Sequence, residues 1–320
     1  SLLVFMFCFT SFGVILVLGG PRLATIEVEI YRQAVPFFNL PLAAALSIVQ
    51  LVLTFVIMSI YTRIQARAAV PLNLRPTTAT QRPPATWRAR LLVWASVGGL
   101  LVLLLAPLLA LVQRSFSLEG TYTLSYYKAL FTNPTQSFFY VSPAEAIRNS
   151  LLIAGATVAL SVVVGLVSAY LLAGPPNPAR TILDPIFMLP LGASAVTLGF
   201  AYVVSMGRLR TSAVLVLIAH TLVALPFVVR SLLPVMRGIR PSLREAASVF
   251  GASPLRVWRE VDLPIVGRAL LVAAVFAFTV SMGEFGATSF IIRPNSGFLT
   301  LPIAIRRYLS QPGALNFGQA

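Results

Sequence analysis

Residues 91–112 read LLVWASVGGLLVLLLAPLLALV, a run without a single charged side chain. A helix crossing the roughly 30 Å hydrocarbon core of a bilayer needs about 20 such residues. Leu100 to Leu105 shows none of the period-two alternation that a membrane barrel requires. Open sheet edges find no hydrogen-bond partners in lipid, so helix is the conformation left. This stretch decides the class of fold: an all-α bundle of transmembrane helices.

Working outward, runs of the same character return near 2–19, 42–61, 149–173, 183–206, 212–233 and 266–292, and an eighth opens near 313. The chain is therefore expected to be polytopic, with seven spans and the start of another. Of its 320 residues 58% are hydrophobic and 10% charged, with mean hydropathy +0.87. A soluble domain carries about 25% charged residues. Lipid must cover much of this apolar surface.

The net charge of +15 raises nucleic acid as a partner, but the arginines fall between apolar runs and not on one basic face. Arg63, Arg67, Arg75, Arg82, Arg88 and Arg90 share a stretch that holds no acid, the pattern of a cytoplasmic loop under the positive-inside rule. No nucleic-acid partner is expected. The one cysteine, Cys8, excludes an intrachain disulfide or a cysteine metal site, and its place in an apolar run predicts a buried, inert thiol. Ser1 opens directly into an apolar segment with no basic region before it, so no signal peptide is read there. Leu315 to Ala320 stop in mid-pattern, and both ends are expected to be cut from a longer protein.

Orientation follows from the loops. Residues 62–90, rich in Arg, Pro and Thr, read as a flexible cytoplasmic linker. Alternation then puts 113–148 outside, 174–182 inside, 207–211 outside, 234–265 inside and 293–312 outside. Arg237, Arg240, Arg244, Arg256 and Arg259 in the second inside loop agree with this, whereas Arg208 and Arg210 run against it.

The start of the chain is similar to its end. Phe7, Phe9 and Thr10 return as Phe276, Phe278 and Thr279; Thr25, Ile30 and Arg32 as Thr300, Ile305 and Arg307; Ala45, Leu46 and Gln50 as Ala314, Leu315 and Gln319. Polar matches in the same order predict a duplication, with a loop six residues longer in the second copy. Residues 1–61 then end one repeat, 62–90 link, and 91–320 form most of the second, with its cytoplasmic loop at 234–265. Many transporters are built from such repeats.

That loop holds the most informative spacing. Glu245, Ala246 and Ala247 are followed by Gly251 and Ala252, and further on by Val261, Asp262, Leu263 and Pro264. Pro241 and Ser242 open a helix, with Ser242 and Glu245 spaced as a capping box. Gly251 permits a positive φ where that helix turns. Ser253 and Pro254 restart a second helix that Leu263 and Pro264 are expected to end. Val249, Leu255, Val257 and Trp258 give the turn an apolar side suited to docking in a partner's groove.

The pattern Glu-Ala-Ala, three residues, Gly, nine residues, x-x-Leu-Pro resembles the signature loop of permeases of binding-protein-dependent ABC importers, with Val261 in place of the family's Ile. The resemblance implies that Glu245, Ala246, Ala247, Gly251, Ala252, Leu263 and Pro264 shape a coupling loop that meets an ABC ATPase on the cytoplasmic face. It further implies that ATP and magnesium belong to that partner, that a substrate-binding protein docks outside, and that the permease carries no cofactor, metal or catalytic residue. Arg148-Asn149-Ser150-Leu151 opens a span as these permeases do. Gly283-Glu284-Phe285-Gly286-Ala287-Thr288 resembles the fused two-repeat permeases of thiamine and ferric-iron importers, which implies one of those substrates and alternating access in a bacterial inner membrane.

Glu284 is the one acid read inside an apolar run, where a charge is costly. It and Thr288 are expected either to line the translocation path or, for Glu284, to pair with a helix neighbour. His220, alone in its span, reads as a packing or hydrogen-bonding residue. Nucleotide-binding GxxxxGK[ST] and zinc HExxH patterns are absent from the sequence, so an enzyme is not expected. An ion- or proton-coupled secondary transporter or channel also suits repeats and a membrane glutamate; the signature loop separates the two, because such a carrier docks no ATPase.

Overall fold

The computed structural model describes residues 8, 11–20, 22–68, 84, 86–118, 120–131, 141–174, 177, 180, 183, 186–187, 190, 193–206, 209, 212–292, 298–311, 313 and 318, with side chains left aside at 58 and 61–68. Most of the 62–90 linker's detail lies outside these residues. So do Phe7, Phe9, Thr10, Arg208, Arg210, Ala314, Leu315 and Gln319.

The described elements are helices α1 (Gly13–Leu18), α2 (Ile26–Ala34), α3 (Leu40–Ala68) and α4 (Trp87–Ser115), then strands β1 (Ser117–Leu118) and β2 (Thr121–Tyr122). Helices α5 (Ser125–Ala129), α6 (Pro143–Ala173), α7 (Ala195–Ser205), α8 (Ala213–Gly238), α9 (Pro241–Val249) and α10 (Pro254–Val257) follow. A π turn (Trp258–Asp262) leads into α11 (Leu263–Met282), and α12 (Gly286–Ile291) and α13 (Leu301–Leu309) complete the set. Among the described residues five helical stretches are long and apolar enough to cross a membrane, against seven expected. Of the run expected at 183–206, the described residues include α7, capped by Ser194, whose hydroxyl accepts from Thr197 N at 3.1 Å. The run at 266–292 breaks at Gly283, between α11 and α12.

Helix starts follow their caps. Ser142 and Glu145 form a reciprocal capping box on Pro143, which begins α6 six residues before the expected 149. The side chain of Thr86 caps α4 and that of Ser212 caps α8.

The core is α8 packed along both α6 and α11. Its residues are small where backbones approach: Ala169, Ala224, Ala273 and Ala277 are fully buried beside Val228, Leu232 and Val266. A Cβ on Gly165 would meet Val228 Cγ1 at 2.4 Å, so only glycine fits that crossing. Lipid tails are as apolar as leucine, and this close packing, not water exclusion, holds such helices together. By contrast α4 buries none of its residues, and Leu100 to Leu105 all face the surroundings. Cys8 is exposed too, contrary to the expected buried thiol.

A second core joins the first helices to the later ones. Phe12, Val28, Ile30, Tyr31 and Ala34 pack with Val196, Phe200 and Phe290. Two helix pairs match across it. Helices α1 and α12 are each six residues, preceded by Phe12 and Phe285; α2 and α13 are each nine, preceded by extended Thr25 and Thr300. Pairing α1 with α12 by their N-termini puts Ser11 opposite Glu284.

The bundle has two distinct ends. Helix α13 sits over the start of α6: Asn149 Nδ2 donates to Leu299 O at 3.2 Å, Leu301 N to Ser150 Oγ at 2.6 Å, and Tyr308 Oη to Val141 O at 2.8 Å. At the other end of α6, Arg237 Nη2 donates to Leu172 O at 3.3 Å, just before the turn that carries α9 and α10. The 20 residues of α11 separate these ends by about 30 Å.

Candidate functional site: the polar cluster and the turn between helices

The turn at 241–262 is built from backbone rules. Pro241 occupies the first helical position and makes Arg240 the N-cap, so Ser242 lies inside the helix and forms no capping box with Glu245, contrary to expectation. At the far end Gly251 has φ +82°. Gly251 N donates to Ser248 O at 2.9 Å and Ala252 N to Ala247 O at 3.1 Å. These two bonds define a Schellman motif. They explain three signature positions at once: Ala247 and Ala252 are its bonded ends and Gly251 its left-handed residue.

Leu263 and Pro264 do not end the second helix. The backbone stays helical through Val257, Asp262 and Leu263. Proline at 264 has no N–H to give and would crowd the carbonyl four residues back; the π turn Trp258–Asp262 immediately before it relieves that conflict. Buried Asp262 accepts from Arg244 Nε at 2.8 Å, tying α9 to the foot of α11.

The exposed apolar set differs from the expected one. Val249, Phe250 and Leu255 are 84%, 91% and 74% exposed, whereas Val257 turns inward and Trp258 is half-buried. Glu245 and Ala246 stand on the open surface beside them.

Glu284 and Thr288 meet inside the bundle with His220, a residue distant in sequence. Glu284 accepts from Ala287 N at 2.7 Å, from Thr288 N at 3.1 Å and from the Thr288 hydroxyl. His220 Nε2 lies 3.3 Å from the same carboxylate and 2.8 Å from Thr288 Oγ1. His220 Nδ1 contacts Ser281 Oγ at 2.7 Å, and Ser281 donates to Thr157 at 3.4 Å. All five residues are buried. The cluster seats α12 against α6, α8 and α11, giving each polar group the partner that lipid cannot supply. The carboxylate points to the first turn of α12 and to His220.

Sequence reasoning missed a third buried acid, Glu27. Glu27 Oε1 accepts from Gln50 Nε2 at 2.8 Å, and Gln50 Oε1 from Thr197 Oγ1 at 3.5 Å, joining α2 and α3 to α7. The segment Ile26–Ala34 is too polar to announce itself as a membrane element. The spacing of Glu27, Tyr31 and Ala34 on one helical face is the signal that identifies its buried side. No group of three or more His, Cys, Asp or Glu residues that could hold a metal occurs among the described residues.

Residues 161–314 match the family described as binding-protein-dependent transport system inner membrane component. Over 204 residues the chain is 31% identical to the sulfate transport system permease protein CysT of Salmonella typhimurium, covering 59% of this chain and 70% of that one. It is 29% identical over 185 residues to the molybdenum transport system permease protein ModB of Escherichia coli, covering 53% and 81%. The corresponding protein of Mycobacterium bovis is 32% identical over 192 residues, covering 55% and 70%.

Proposed function

The chain belongs to the binding-protein-dependent transport system inner membrane components, and on that premise we propose that it is the permease half of an ATP-driven importer for thiamine or ferric iron. It is a multi-pass inner-membrane protein, not itself catalytic, of a family that carries no cofactor. Membership sets aside the ion-coupled carrier.

One observation carries the mechanism. At one end of the bundle Val249, Phe250 and Leu255 project from a turn whose backbone is locked by Gly251 and whose base is clamped by Arg244 and Asp262. An exposed apolar knob on a rigid mount suits a groove in a partner. That partner is an ABC ATPase in the cytoplasm, which supplies ATP and magnesium. Glu245, Ala246, Ala247, Gly251 and Ala252 shape the knob, and Leu263 and Pro264 carry its movement into α11. The binding protein docks at the opposite end, where α13 lies. The duplication supports a two-repeat layout, residues 1–61 closing the first copy and 91–320 forming the second. Glu284 and Thr288 contribute to the path by seating α12 beside it.

Thiamine and then ferric iron follow from the Gly283–Thr288 segment. A second reading, an oxyanion, is favoured by relatives named for sulfate and molybdenum. The deciding experiment measures ATP hydrolysis by the permease co-purified with its ATPase in lipid, with the binding protein empty or loaded with thiamine, ferric iron, sulfate or molybdate. Stimulation by thiamine or iron supports the first reading, and stimulation by an oxyanion alone replaces it. Failure of any ATPase to co-purify removes the docking role of the turn.

A further inference from the structure

We propose that Phe12, Tyr31, Phe285 and Arg306 form the outer gate of the solute path, on the axis that relates the two repeats; this rests on the two-repeat importer reading. A two-fold rotation carries each residue onto its counterpart, so counterparts touch only close to the axis. Two counterpart pairs touch here. Phe12 and Phe285, the residues that precede α1 and α12, stack with ring centroids 5.4 Å apart and planes at 24°. Tyr31 and Arg306, equivalent positions of α2 and α13, also meet: Arg306 Nη1 donates to Tyr31 Oη at 2.7 Å, and its guanidinium lies 4.8 Å over the tyrosine ring.

Symmetry also demands that contacts within one copy recur in the other. Phe12 lies 5.5 Å from Tyr31, and the equivalent pair, Phe285 and Arg306, is 5.9 Å apart. The four side chains thus close a ring of contacts that straddles the axis, two pairs meeting across it, with the chemistry of one corner changed from tyrosine to arginine. The ring lies at the end of the bundle where α13 sits, away from the turn at 241–262, so it faces the binding protein. It is tight: even a Cβ on Gly13 would stand 3.2 Å from Phe285 Cδ1. Phe12 and Tyr31 are buried.

A solute descending between the repeats must part this ring. Among the described residues its contacts are one stacked ring pair, a cation over two ring faces and a hydrogen bond from the guanidinium to an uncharged phenol, with no carboxylate ion-paired to Arg306. Such contacts can break and reform each cycle without stranding an ion partner. The cluster around Glu284 sits directly behind it and holds α12, and with it Phe285, in place.

The test uses the full-length permease with its ATPase in lipid, on a Cys8→Ala background. Two double variants are made, Phe12→Cys with Phe285→Cys and Tyr31→Cys with Arg306→Cys. Disulfide formation under mild oxidant is compared without nucleotide and after trapping with ATP and vanadate. Cross-linking without nucleotide that falls about tenfold or more in the trapped state is expected, because the closed ring then becomes a minor species. Equal cross-linking in both states, or none in either state for both pairs, overturns the gate. Hydrolysis by the cysteine-free parent with loaded binding protein reports on the importer reading separately, so each can fail without the other.

Discussion

Gly251 shows how much one residue decides. Its φ of +82° is open to glycine, and nothing lies within 4 Å of an added Cβ. Gly251→Val therefore meets backbone strain alone, about 1–2 kcal/mol from the left-handed conformation. We expect the bundle to keep its thermal stability while ATPase association weakens several-fold, read by co-purification, with Gly251→Asn intermediate; normal association for the valine variant would remove the turn's docking role. Glu284 is a different case. Glu284→Ala strips acceptors from Ala287 and Thr288 and leaves His220 short of a partner, a loss of about 1–3 kcal/mol. Thermal unfolding in detergent should show a clear drop for alanine and a smaller one for Glu284→Gln. Glu284→Gln should also lower uptake without lowering ATPase association. The glutamate was legible because a charge in an apolar run stands out. Its histidine partner was not, since residues 220 and 284 meet only through the crossing of α8 with α12. Ser242 misled for a local reason: the spacing of a capping box was present, but Pro241 claimed the first helical position.

At the scale of elements, the link between α9 and α11 rests on Arg244 and Asp262. Removing the arginine leaves a buried carboxylate unpaired. The cost for a fully buried pair is about 3–5 kcal/mol, and we expect about half of that because the Arg244 side chain is 37% exposed. Arg244→Ala should uncouple ATP hydrolysis from the loaded binding protein more than Asp262→Asn, which strands only the partly exposed guanidinium. Helices α7 and α12 offer a steric test. A Cβ on Gly199 would stand 2.6 Å from Ala287 Cα, so Gly199→Ala must push the two helices apart at a cost of about 1–3 kcal/mol. An unshifted melting temperature for that variant would contradict the packing described here. Long spans were readable from apolar length alone. Short helices such as α2, α7, α12 and α13 were not, because their limits depend on caps and on neighbours distant in the chain. The match of α2 with α13 was partly visible in Thr25, Ile30 and Arg32, whereas the match of α1 with α12 needed their N-termini in three dimensions.

For the whole molecule, mean hydropathy and arginine placement announced a membrane bundle before any element was known. They could not say which helices form its centre. That division is sharp: α8 is largely buried, and α4 is not buried at all. Leu103→Ala on α4 should leave the melting temperature unchanged, whereas Leu103→Arg at mid-span should oppose insertion by about 2.5–3.5 kcal/mol and lower the membrane-integrated yield. Equal losses for the two variants would mean that α4 has a protein neighbour. The solitude of α4 has a consequence for how the chain is made. It emerges from the ribosome before every later span and, among the described residues, none of them buries it, so it must be threaded on its own merits. A segment this apolar partitions into lipid unaided, with the arginines at its leading end holding that end back. It then serves as a mooring post: once it is fast, each later helix inherits its direction, and the later half of the gate, Phe285 and Arg306, arrives already facing the right way.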